Sequence, residues 1–130
     1  MRRLRALLLL CLASAAATCG GADGSGNPGG PSPSDNPNQM TISAAGVLSP
    51  AELVVSPGSR VLFINNHAQR HNMTSDPHPE HDDCPEINQV GVLSQGQRRE
   101  TGNLVTVRTC GIHDHDAPDN RNLRARIVIR

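Results

Sequence analysis

The sequence contains no lysine, tryptophan or tyrosine, and Phe63 is its only aromatic residue. Base stacking on aromatic side chains therefore has no platform, which argues against single-stranded nucleic acid as a partner. Any core has to be built from Val, Ile, Leu and Met. Basic and acidic side chains number 12 each, for a formal net charge of zero. That balance gives no electrostatic footprint for nucleic acid. No apolar run reaches the ~20 residues that span a bilayer core as a helix. No Gly-rich phosphate loop opens a helix, and no Ser stands in a nucleophile elbow. Hydrolase and nucleotide-binding chemistries lack their residues, and the chain is read as a non-enzyme.

What is present begins with an address. Arg2, Arg3 and Arg5 form a basic start, an apolar stretch runs over 4–17, and Thr18-Cys19-Gly20 follows. That order is an export signal of bacterial type. The small residues before Cys19 resemble the bacterial lipobox. The resemblance implies a signal peptide over 1–19, acylation of Cys19, and attachment to a membrane at the periplasm or cell surface. Plain secretion with cleavage near Ala17 is the alternative. Residues 20–39 are dominated by Gly, Pro, Ser, Asn and Asp. Such a segment buries too little to order itself and reads as a tether, with a reach on the order of 25 Å as a random coil. Residues 40–130 remain as one small domain, of a size that is only marginally able to bury a core.

Within that domain the apolar runs are short, β-branched and punctuated by Gly, Pro and Asn. The pattern predicts an all-β Greek-key sandwich of about seven strands. Strands are expected at 40–44, 52–55, 60–64, 71–74, 90–93, 104–109 and 123–129. The last alternates with Arg124 and Arg126, which suits a sheet with one wet face. Residues 75–88 and 114–122 are polar and read as loops.

All six histidines lie after residue 66, and two of the four cysteines, Cys84 and Cys110, fall in the domain. Cys110 follows an expected strand, with His113 three residues later, and His71 follows another strand. Two imidazoles and a thiolate form the ligand set of a blue-copper site. A second reading stays open for Cys110: a disulfide to Cys84. In an oxidising compartment the two domain cysteines favour pairing, and closing the loop between them is worth about 3 kcal/mol by chain entropy. His67 reads as solvated. His78 and His81, among Asp76, Glu80, Asp82, Asp83 and Glu86, read either as a solvated loop or as a second, labile metal site.

Together these segments resemble the cupredoxins, the plastocyanin-like family, over nearly all of residues 42–130. Residues 56–66 are similar to the family's turn, strand and Asn pair. His71-Asn72 matches its first His ligand and the Asn after it. Residues 93–97 resemble its Leu-x-x-Gly turn, and Cys110-Gly111-Ile112-His113 its thiolate and second His. The resemblance implies a copper-binding electron carrier that meets redox partner proteins as a monomer. One position departs from the family: aligning on the last strand puts Leu123 where an axial Met is expected, and Leu cannot ligate. His115 is the replacement ligand that the sequence offers; Met73 reads as core. The alternatives are an exported copper-binding protein for storage, delivery or resistance, using His78, His81, Cys84 and His115, and a metal-free sandwich stapled by Cys84 and Cys110.

Overall fold

The computed structural model describes residues 36–130. The export signal, Cys19 and most of the tether lie outside the described residues. Among the described residues nine strands follow in chain order: β1 Gln39–Ile42, β2 Leu48–Ser49, β3 Glu52–Val55, β4 Leu62–Asn65, β5 His71–Ser75, β6 Gly91–Leu93, β7 Arg98–Glu100, β8 Arg108–Asp114 and β9 Ala125–Ile129. They form two mixed sheets, one in the order β2-β1-β4-β7 and the other β3-β9-β8-β5-β6. β1 opens at Gln39, so the residue expected to end the tether belongs to the sheet.

The two sheets close on Met40, Ile42, Phe63, Met73, Leu93, Ile112, Ile127 and Ile129, all at most 1% exposed. Alternation explains why each strand sits where it does. In β9, Ile127 and Ile129 point inward while Arg126 stays in water, which keeps the apolar set on one face. Phe63, the lone aromatic, is fully buried in β4.

One strand boundary decides the rest. The run Leu104-Val105-Thr106-Val107 looks like a strand, yet Val105 and Val107 are 60% and 67% exposed. Leu104 makes only an isolated bridge to Ser59. The strand proper, β8, begins at Arg108 and runs through Asp114. Cys110 and His113 therefore lie inside a strand, not at its end and in the loop beyond. Residues three apart on a continuous strand face opposite sides of the sheet. Cys110 and Ile112 point into the core, and His113 points out, paired with Thr74 of β5.

Candidate metal centre

The segment after β5 begins against outward-facing His113, through Asp76, and returns to the core at Cys84. Cys84 anchors it: its sulfur is bonded to that of Cys110, with the Cα atoms 5.8 Å apart. Both cysteines are fully buried. The Asp76 N–H donates to Gly111 O at 3.0 Å, which lays the start of the segment across β8. The Ser75 hydroxyl and the Asn88 side-chain amide both donate to the carbonyl of His81, at 2.9 and 2.7 Å. These bonds hold His81 at φ 57°, a left-handed backbone that costs a non-glycine residue on the order of 1 kcal/mol.

The result is a cluster of imidazoles drawn from two separate stretches of chain. His78 and His81 come from the folded-back segment; His113 and His115 come from β8 and the residue after it. The ligand atoms of His78, His81 and His113 all lie within 4.8 Å of one another. His81 Nε2 is 2.8 Å from His115 Nδ1. Ring centroids of the four are 4.9–5.6 Å apart in the contacting pairs. A cleft of about 420 Å³ lined by Asp76, His78, His113 and Arg124 opens beside them.

Hydrogen bonding fixes two tautomers. His113 Nδ1 lies 2.6 Å from Asp76 Oδ1. A carboxylate only accepts, so Nδ1 carries the proton and Nε2 keeps its lone pair. The nearest partner of that lone pair, Thr74 Oγ1, is 3.4 Å away, too long for a good hydrogen bond. His81 Nδ1 lies 2.8 Å from the carbonyl of Ser75, which likewise makes Nδ1 the donor and Nε2 an acceptor, here facing His115 Nδ1 at 2.8 Å. An oxygen holding one ring nitrogen while the other faces a cation is the usual arrangement of a metal-binding histidine.

Electrostatics point the same way. Burial pushes the His113 imidazole below its ordinary value. The hydrogen bond and charge of Asp76 oppose that shift, while His81 and His78 add to it. Burial, with His81 and His78, outweighs Asp76 and disfavours a protonated His113. Lone pairs converging where protons are unwelcome are what a metal ion requires. Metal–nitrogen bonds of ~2.0–2.1 Å allow ligand nitrogens to be at most ~4.2 Å apart. Three nitrogens around one ion at trigonal or tetrahedral angles stand ~3.4–3.6 Å apart, so the imidazoles have to close on the ion, and exposed His78 has the room to do so.

The ligand set expected from the sequence does not assemble. Cys110 is a disulfide sulfur in the core and offers no thiolate. His113 faces away from it. His71 sits elsewhere, at the inner rim of the sandwich: its Nδ1 is 2.8 Å from Asp114 Oδ2, and its Nε2 is 2.8 Å from His67 Nδ1. Leu123 lines the same cleft as His71, one of about 290 Å³. Copper held by His71, Cys110 and His113 therefore does not fit these residues. His115 does reach His113's neighbourhood, but not that of His71 or Leu123 as an axial ligand would. Asp76, which anchors His113, and His67, which stacks on His71, carry roles that their sequence surroundings did not single out. The alternation Cys110-Gly111-Ile112-His113 was the available signal, since it separates Cys110 from His113 once the strand runs through both.

No protein-family model and no curated protein sequence matches the chain. Solved structures do match in fold. A purple cupredoxin from Nitrosopumilus maritimus superposes with a TM-score of 0.54 at 19% identity, covering 71% of this chain and 98% of that one. Oxidised plastocyanin from Dryopteris crassirhizoma gives 0.55 at 16% identity, covering 71% and 99%. A copper-containing nitrite reductase from Thermus scotoductus gives 0.55 at 16% identity over 73% of this chain and 22% of its own. The fold is that of the cupredoxins.

Proposed function

We propose that this protein binds copper through His78, His81 and His113, with His115 at the edge of the site, and serves in copper storage, delivery or resistance. The observation that carries the reading is the convergence of three imidazole nitrogens within 4.8 Å from two distant stretches of chain. Two of those imidazoles are held in the tautomer that presents a lone pair. An all-imidazole set suits Cu(II), Zn(II) and Ni(II), and Cu(II) binds tightest of the three in the general order of affinities. The likeness in fold to copper proteins adds weight to copper. In this reading the protein is a binder and not an enzyme. It is exported and tethered to a membrane through Cys19, with the 20–39 segment giving the domain its reach.

An electron carrier with a thiolate-bound copper needs a free Cys110, and the disulfide consumes it. Titration of the purified protein with Cu(II) separates the readings. One equivalent bound, with the paramagnetic spectrum of an all-nitrogen site and no intense thiolate band, is the expected outcome. His81→Ala/His113→Ala should lose that equivalent. An intense visible band, or binding unchanged in the double variant, would overturn the proposal.

A further inference from the structure

The cleft around His71 carries information of its own. The cupredoxin resemblance supplies His71 as a first imidazole and Leu123 as the axial position, and the structure puts both in one cleft. The residues that join them are not Cys110 and His113. They are Asp114 at the end of the strand and, three residues on, Ala117. Asp114-His115-Asp116-Ala117 repeats the spacing of Cys110-Gly111-Ile112-His113, four residues later. Four residues are two full alternations of a strand, so Asp114 keeps the inward phase of Cys110, while Ala117 lies in the turn beyond β8.

We propose that this cleft is where the fold would seat a thiolate-bound copper, and that in this chain Asp114 stands in the thiolate's place and Ala117 in that of the second imidazole. The contacts of Asp114 support the assignment. It is 2% exposed. Oδ2 takes the Nδ1 proton of His71 at 2.8 Å. Oδ1 accepts the N–H of Asn72 at 2.9 Å and that of Asp116 at 3.2 Å. His71 Nε2 faces His67 Nδ1 at 2.8 Å. A carboxylate thus fills the thiolate's place and holds His71 Nδ1, and no soft ligand is left. The centre has become a hydrogen-bonded chain, Asp114–His71–His67, and metal binding has moved to the opposite face of β8, with His113 and His115.

The test is a gain of function. In a background carrying His81→Ala and His113→Ala, the pair Asp114→Cys and Ala117→His is introduced and Cu(II) is added. The expected result is one equivalent of copper with an intense thiolate-to-copper band, lost again when His71→Ala is added. A folded variant with an intact Cys84–Cys110 bond and a free thiol that shows no such band overturns the assignment, as does a band that survives His71→Ala. If the variant does not fold, the background protein alone decides. At one equivalent of Cu(II), its His67 and His71 ring proton resonances should remain sharp. Stoichiometric broadening of both would show that the cleft still takes the metal. Neither arm depends on copper binding at the outer face, so failure here leaves that reading standing.

Discussion

At the scale of single residues, Asp76 and Gly111 determine the cluster together. A Cβ added at position 111 would overlap the carboxylate of Asp76. Only glycine lets that side chain lie across β8 and reach His113. Asp76→Ala should weaken Cu(II) binding about 10- to 100-fold, the usual effect of removing the partner of a ligating histidine. Gly111→Ala should produce a loss of similar size by pushing Asp76 aside, while leaving the β-sheet circular dichroism unchanged. Competition titration of the two variants checks both, and a Gly111→Ala protein with native affinity would dissociate the glycine from the site. His113 adds a pH dependence. Its imidazole is depressed below the ordinary 6.5 in the folded state, chiefly by burial. The unfolded chain therefore takes up that proton first. The stability that neutral His113 contributes is complete above pH 6.5 and declines as pH falls through that value toward the lowered one. Urea midpoints of the metal-free protein between about pH 5 and 7.5 should fall with acidification, and His113→Gln should flatten the slope.

At the scale of elements, the Cys84–Cys110 bond joins the segment carrying His78 and His81 to the strand carrying His113. Its sequence separation is 26 residues, and closing a loop of that length in the unfolded chain is worth about 3 kcal/mol. Cys84→Ala/Cys110→Ala should lower the unfolding free energy by about that amount and weaken Cu(II) binding at the same time, because the segment loses its anchor to β8. A measured loss of stability without any change in affinity would mean that the segment's hydrogen bonds alone suffice to hold the histidines. Element boundaries also explain what could be read from the sequence. The inward alternation of Ile127 and Ile129 announced β9, and the run from Glu52 to Val55 announced β3, because both are apolar at strand period. Short β2 and the wholly exposed β7 carry no such pattern and went unseen. β8 was the costly case. The apolar run at 104–107 reads as part of the strand, which puts Cys110 and His113 at its end, where both could turn toward one ion. Solvent-facing Val105 and Val107 look the same in sequence as buried ones. The outer-face histidines were half legible: their crowding in sequence marked them as a possible metal site, but the fold-back that brings His113 to them rests on Asp76, Ser75 and Cys84, contacts that no local spacing reveals.

At the scale of the whole domain, the two clusters divide all six histidines between the faces of one sheet. His67 and His71 close the inner rim with Asp114; His78, His81, His113 and His115 crowd the outer face. β8 and the residue after it, through the alternation of His113, Asp114 and His115, supply both. The domain is small, has one aromatic residue in its core, and belongs to a size range in which total stability is about 5–15 kcal/mol. An ion that bridges the folded-back segment and β8 binds the folded state only, because the unfolded chain scatters its ligands over residues 78–113. Binding then adds directly to the unfolding free energy. At a free Cu(II) concentration of 100 times Kd the addition is about 2.7 kcal/mol. For a domain of this length each kcal/mol moves the midpoint by about 4–8 °C, so Tm should rise by about 10–20 °C. The rise should disappear in His81→Ala/His113→Ala and persist in His71→Ala, since His71 belongs to the other cluster. Calorimetry of the three proteins with and without Cu(II) measures this directly. A shift that follows His71 instead would return the copper to the inner rim and overturn the division of labour between the two faces of β8.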